Sequence, residues 1–465
     1  MSLPPPRPTR VALILFAMSD LLDDAARRAS RYLETLDTRS VAPTQEALGA
    51  LTGFDRTFPE GESPAAAVLA ELDEIGSPAT MASAGGRFFG FVIGGSLPVT
   101  VAANWLAAAW DQNAGLVVTA PANAALETVA LRWLREIFRL PAQSAGGFVT
   151  CATAANFAAL AAARHALLRR AAWDVEARGL FGAPALTVVV GDEVHASVQK
   201  ALSLVGFGRE RVVRVPVDAQ GRMRFDMFPA VDDRTIVCVQ AGNVNTGSFD
   251  PIQEVCRRAR SQGAWVHVDG AFGMWAAAAP ARAHLTQGID EADSWATDAH
   301  KWLNVPYDSG FVFTRDAADL RTAMSIGGAY LVQDEQRVPY QYTPDFSRRA
   351  RGIEVWAALR QLGRTGLAEL IERTCRHAER FAEGLRDAGH RVLNDVVLNQ
   401  VLVSFGNSER TRAVITRVQE EGTCWCGGTV WQGHTAMRIS VSSWATTEKD
   451  VERSLAAILR AAASD

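Results

Sequence analysis

Apolar residues recur every three to four positions from Ser19 to Leu36, a spacing that predicts an amphipathic helix, and Ser19 stands where an N-cap residue would stand. Residues 38–63 lose that period and are broken up by Pro and Gly. The stretch SPAAAVLAELDEIG then predicts a second, short helix, and GGRFFGFVIGGSLP, aromatic and flanked by glycine, predicts a loop able to line a cleft. Residues 99–140 return to helical periodicity, closing with ALETVALRWLREIFRLP and a stop at Pro141.

After that the rhythm changes. GGFVTC, ALTVVVGD, RTIVCVQAG, AWVHVDG and SGFVFT are short β-rich runs, with helical segments such as AANFAALAAARHALLRR and DPIQEVCRRARSQG between several of them. Alternating strands and helices predict an α/β fold with a mostly parallel sheet covered on both faces. From about residue 350 the chain is strongly helical, then strand-like in RVLNDVVLNQVLVSF, and it ends in a strand followed by a helix. That tail predicts a small α+β domain.

Composition changes this picture little. The 465 residues carry 48% apolar and 21% charged side chains and a formal net charge of −4, so neither a nucleic acid nor an anionic membrane is an expected partner. The apolar run Val11–Met18 is too short to span a bilayer. The expectation is that Met18 is the natural start or that the first 17 or 18 residues are a leader. The six cysteines are scattered without a zinc-type spacing, so no metal is expected and a cytoplasmic location is.

One count does matter. Of the 47 basic residues 44 are arginine, and lysine occurs only at Lys200, Lys301 and Lys449. Lys200 and Lys449 lie in polar helical contexts and read as solvated cations. Lys301 lies in ATDAHKWLNVPYDSG, just before a predicted strand. Ligands of such sheets sit at the carboxyl ends of strands, and Asp269, His195 and Thr153 fall at such ends too. Each has a plain reading alone: a turn or N-cap aspartate, a structural histidine, a tight turn opening a helix. Together they meet the needs of pyridoxal 5′-phosphate. A helix opening at Thr153 would hold a phosphate, and Asp269 would pair with a protonated ring nitrogen. His195 could stack on the ring. A lysine, unlike arginine, can lose its proton and form an imine with an aldehyde, which accounts for its retention at 301.

The segment ADSWATDAHKW closely resembles the lysine motif of the group II pyridoxal-phosphate decarboxylases, the aromatic-amino-acid and glutamate decarboxylase family. APANAALETVALRWLREIFRLP, TCATAANFAALAAARHA, DEVHASVQKAL, AGNVNTGSFDPI, WVHVDGAFG and FSRRARGIEVWAALRQLGRTGL resemble family segments in the same order. The resemblance implies the fold-type-I architecture: an N-terminal segment at 19–85 packing on a dimer partner, a large cofactor domain at 86–352 and a small domain at 353–465. It implies a homodimer with active sites at the interface, acting on an amino-acid substrate. Lys301 would be the Schiff-base lysine, Asp269 the partner of the pyridine nitrogen, and His195 and Ala271 would lie on the two ring faces. Ala152, Thr153, Asp298 and His300 would lie about the phosphate, with Asn243 on the side of the ring hydroxyl. The implied reaction is decarboxylation of an L-amino acid to an amine and carbon dioxide, through an external aldimine and a quinonoid.

Three departures from the family pattern bear on that reading. The tyrosine that returns a proton to Cα is hard to register; Tyr340 is nearest, with Tyr330 and Tyr342 as rivals. Ala154 stands where many relatives have an acidic or polar residue. Gly85 and Gly86 replace a frequent His-Pro, and Val92 and Ile93 would make that wall more apolar. Arg87, Phe91, Trp110 and Asn113 are candidates for the substrate wall. The alternatives are a fold-type-I aminotransferase or carbon–sulfur lyase, an aldehyde-forming decarboxylase that uses the same lysine, and a cofactor-binding regulator without turnover.

Overall fold

The computed structural model describes residues 10–326 and 337–464, with side chains from residue 18 onward. The first helix runs from Arg10 to Glu34 without a break, so Ser19 lies inside it and caps nothing. Short helices at Gln45–Ala50 and Ala65–Gly76 follow. Two longer ones, Pro98–Trp110 and Pro121–Ile137, each begin with proline in the first turn, where its missing N–H costs no hydrogen bond.

Seven strands form the large sheet: β1 Ala145–Val149, β2 Thr187–Gly191, β3 Val213–Val215, β4 Thr235–Gln240, β5 Trp265–Asp269, β6 Ser294–Asp298 and β7 Gly310–Thr314. Their order is β1-β7-β6-β5-β4-β2-β3, and β7 alone runs antiparallel to its neighbours. Every residue of β4 to β7 is buried, which accounts for the mostly apolar runs of β4 and β7. One face carries Phe138, Trp275, Trp295 and Phe311 in a large aromatic core. The helix Ala152–Arg170, so rich in alanine that it lies close to the sheet, covers the other. The brief β3 and the polar-looking SWATD of β6 were not foreseen as strands.

The small sheet is antiparallel throughout: β8 Arg391–Val392, β9 Gln400–Ser404, β10 Gly427–Trp431 and β11 His434–Ser440, in the order β10-β11-β9-β8. A long helix, Gly352–Asp387, belongs to both halves. Val355 to Cys375 pack into the large core, whereas Ala378 to Leu385 pack with the helices Ser408–Glu421 and Glu448–Ala463 against the small sheet. Among the described residues, no helix is long and apolar enough to cross a membrane.

Alternation along β5 divides its side chains between the two faces. Val266 and Val268 enter the aromatic core, while Trp265, His267 and Asp269 face the alanine-rich helix. His267 is fully enclosed, bonded to Ser294 Oγ at 2.9 Å and Asn156 Oδ1 at 2.8 Å, and burial pushes its pKa down to about 3. An unfolded chain takes up a proton there below pH 6.5 and the folded chain does not, so this group's contribution is intact above 6.5 and erodes as pH falls towards 3. The erosion amounts to about 1.4 kcal/mol per pH unit. A His267→Phe variant should be less stable at neutral pH yet show a correspondingly flatter decline in denaturation midpoint between pH 6.5 and 4.

Candidate active site

The carboxyl ends of β1, β5 and β6 and the loop after β2 meet at one edge of the large sheet, where open α/β sheets bind ligands. Asp269 ends β5, and His195 stands at the N-cap of the helix Ala196–Leu204. Asp298 ends β6, and Lys301 lies one turn further on. His195, Asp269, Ala271 and Lys301 line a single cleft, as the sequence reading expected. Gln240, Gly242, Val244 and Phe272, which that reading missed, complete it.

Lys301 Nζ is 2.8 Å from Asp298 Oδ2, and Oδ1 of the same carboxylate accepts the Ala152 amide at 2.5 Å. Asp298 thus ties the lysine to the N-terminus of the helix Ala152–Arg170, whose dipole favours negative charge. Thr153 occupies the first turn of that helix, half-buried. His300 Nδ1 accepts the Ser309 amide at 3.1 Å, which leaves Nε2 to face Asp298 Oδ2 at 3.7 Å. Burial lowers the pKa of His300 against the pull of Asp298.

His195 is held through its own helix. Its Nδ1 accepts the Ser197 amide at 3.2 Å and lies 2.8 Å from Ser197 Oγ, so the ring proton sits on Nε2. Burial lowers its pKa too, although Asp269 pulls the other way, and the ring stays neutral. Asp269 is almost fully buried, accepting Ser197 Oγ at 3.4 Å and the Ala271 amide at 3.3 Å. Lys200 and Lys449 are exposed, as expected of solvated cations.

Other expected residues have different surroundings. Asn243 does not line the cleft: its Oδ1 accepts the amides of Asn245 and Thr246, and its buried Nδ2 has no partner among the described residues. Tyr340 is buried in a 3-10 turn, Pro339–Tyr342, with its ring 4.6 Å from that of Phe346, and it does not line the cleft of its own chain. Tyr342 shares that turn under the Arg337 guanidinium, and Tyr330 lies outside the described residues. Arg87 is a clip, not a wall. Its guanidinium donates to the carbonyls of Leu36, Asp37, Arg39 and Thr423. Asn113 orients a turn through Gly115 and Arg348, Phe91 stacks on Trp425 at 6.0 Å, and Trp110 ends its helix partly exposed. None of the four lines the Lys301 cleft. Val92 is buried in the large core, Ile93 packs beside Phe88, and Ala154 packs against the sheet.

Three features escaped the sequence reading. Arg438, on β11, reaches the site from the small domain: it donates to Val244 O at 3.3 Å and its enclosed Nε has no described partner. A lone charge in the alternating strand TAMRISV was its only signal. Asn304, fully buried at φ 57°, donates to Trp302 O and Ser442 O and accepts the Trp444 amide. Gly94 touches the Lys301 carbonyl so closely that a Cβ there would collide with it.

These residues fit pyridoxal phosphate. An amine, a buried carboxylate and a neutral imidazole share one cleft, with the opening turn of a helix beside the amine. Gly310 completes the cradle, because a Cβ there would strike both Asp298 and the Cys151 backbone.

Comparison with known proteins bears on the same point. The pyridoxal-dependent decarboxylase conserved domain matches residues 49–406. An aromatic-L-amino-acid decarboxylase of Bacillus atrophaeus is 28% identical over 299 residues, which span 62% of this chain and 60% of that enzyme. A 4-hydroxyphenylacetaldehyde synthase of Rhodiola rosea is 26% identical over 453 residues, covering 91% of this chain and 90% of the synthase. The crystal structure of Oryza sativa TDC with PLP and tryptamine superposes with a TM-score of 0.88 at 22% identity, covering 99% of both chains, and shares the fold. The chain belongs to the pyridoxal-dependent decarboxylase family.

Proposed function

We propose that this protein is a carboxy-lyase that uses pyridoxal 5′-phosphate to remove carbon dioxide from an L-amino acid and release the amine. The observation that carries the proposal is the convergence of Lys301, Asp269 and His195 on one cleft at the carboxyl ends of the strands. Membership of the decarboxylase family and the order of its motifs support it. When bound, the cofactor supplies an aldehyde for the lysine and a protonated ring that withdraws electrons from bonds at the substrate Cα. Lys301 is the amine that holds it. Asp298 fixes that amine beside the opening turn of the helix at Ala152 and Thr153, holding the Ala152 amide itself, and the Thr153 end of that turn would take the phosphate. In that cleft Asp269 would pair with the ring nitrogen, and His195 and Ala271 would lie on the two ring faces. Arg438, with Nε unmatched, supplies a cation for the substrate carboxylate.

Reprotonation at Cα separates two products. Tyr340, buried against Phe346 in its own chain, was the expected donor; without a tyrosine donor a second reading applies, in which oxygen and water are consumed and carbon dioxide, an aldehyde, ammonia and hydrogen peroxide leave. The resemblance to the Rhodiola synthase supports the same alternative.

The protein acts as a homodimer in this proposal. Ala102, Trp105, Leu106 and Ala109 form an exposed apolar stripe at helical spacing on Pro98–Trp110, and Val68 and Leu72 are exposed on Ala65–Gly76. Contiguous apolar faces of this kind mark association sites. Scattered free thiols suit the cytoplasm.

The first test incubates the cofactor-loaded protein with a panel of amino acids and measures carbon dioxide together with the co-product. Carbon dioxide with an amine supports the main reading, and carbon dioxide with an aldehyde the second. Transamination of a keto acid without carbon dioxide would overturn both. Lys301→Arg should fold and keep its charge pair with Asp298, yet form no borohydride-reducible adduct and lose activity by a factor on the order of a thousand or more. Light scattering should give a particle of two chains, and the double substitution Trp105→Glu, Leu106→Glu should give single chains and lower turnover.

A further inference from the structure

Behind Asp269 lies a row of buried polar groups that the reading above leaves unused. Trp265 Nε1 donates to Ser294 Oγ at 2.9 Å, and Ser294 Oγ lies 2.9 Å from His267 Nδ1. His267 Nε2 lies 2.8 Å from Asn156 Oδ1, and Asn156 Nδ2 donates to Ser197 Oγ at 3.3 Å. Ser197 Oγ in turn reaches Asp269 Oδ2 at 3.4 Å. All six residues are at least nine-tenths buried.

The direction of the row is set by its two ends. Indole N–H can only donate and an ionised carboxylate can only accept. Between them the Asn156 amide and the neutral His267 ring have one orientation each that satisfies every link. Each proton then points towards Asp269. Ser197 has a single hydroxyl proton and two acceptors in reach, His195 Nδ1 and Asp269 Oδ2. The hydroxyl proton is shared between Nδ1, 2.8 Å away and also served by the Ser197 amide, and the negative carboxylate at 3.4 Å, so Ser197 couples the row to both groups.

We infer that Asn156 and His267 are positioning residues that act through Ser197 on Asp269, orienting its carboxylate and keeping the shared proton on the cofactor's ring nitrogen. A carboxylate that accepts a hydrogen bond from a polarised donor competes less well for a proton it shares. Chains of aligned donors strengthen one another in a dry interior, and this one crosses from β6 through β5 to two helices. The inference rests on reading Asp269 as the partner of the ring nitrogen. It adds that the electron-withdrawing power of the ring is set partly by residues that never touch it.

The test uses holoenzyme loaded with pyridoxal phosphate carrying 15N in the ring, and reads the ring-nitrogen resonance at neutral pH. In the wild type the resonance should lie at the protonated position. Asn156→Leu, similar in size and without polar atoms, should move it towards the neutral-pyridine position and lower kcat about tenfold while KM changes far less. Ser294→Ala, two links further back, should cause a smaller shift in the same direction and serves as the deciding variant if Asn156→Leu fails to fold. A wild-type resonance in every variant that still forms the reducible Lys301 adduct would overturn the inference, whatever happens to stability. Asp269→Ala separates the two levels: if it forms the adduct with an unmoved resonance, the assignment of Asp269 fails first.

Discussion

Asn304 holds the turn that carries Lys301 in place, and much of the cleft depends on it. Three residues after Lys301 the backbone enters the left-handed region, which asparagine tolerates better than most side chains. The buried amide then satisfies the Trp302 carbonyl, the Ser442 carbonyl and the Trp444 N–H, while its own carbonyl accepts the Leu97 amide. One residue therefore joins the lysine turn, the small domain and the glycine-flanked loop. Gly94 lets that loop approach the Lys301 carbonyl, so the turn is enclosed from two sides. A lysine on four rotatable bonds is useful only if its backbone stays still, and Asn304 provides that.

The strand β5 shows how a five-residue alternation can serve two purposes. Its valines join an aromatic core that makes the sheet rigid. Its polar residues face an alanine-lined helix, where small side chains leave room for a hydrogen-bonded row. Site and scaffold are continuous here, since the groups that satisfy the buried polar atoms of the sheet also end at Asp269 in the cleft.

Much of this was legible in the sequence. Buried parallel strands read as apolar runs, and the glycines and prolines that bound helices act through local sterics, so the α/β class and most elements were visible without contacts. Lys301 stood out because the chain has so few lysines, and Asp269 and His195 because each follows a strand. What failed depended on distant partners. SWATD looks like a turn because Ser294 and Asp298 are polar, yet each is bonded across the sheet or to a helix end. Ser19 resembled a cap until the helix continued upstream to Arg10. Arg87 was a candidate for the substrate wall, but its partners are backbone carbonyls in two remote segments. Arg438 lies 137 positions beyond the lysine, and no local pattern connects the two.

The long helix has a consequence for how the chain comes together. Its early turns are part of the large core and its last turns part of the small one, with a break in helical geometry at Gly363, where a Cβ would meet nothing within 4 Å. One continuous run of helix therefore ends the large core and opens the small one, with only Arg376 and His377 between the two packed stretches. The two cores are thereby joined through the body of a helix and not through a loop, which ties the orientation of the small sheet to that of the large one.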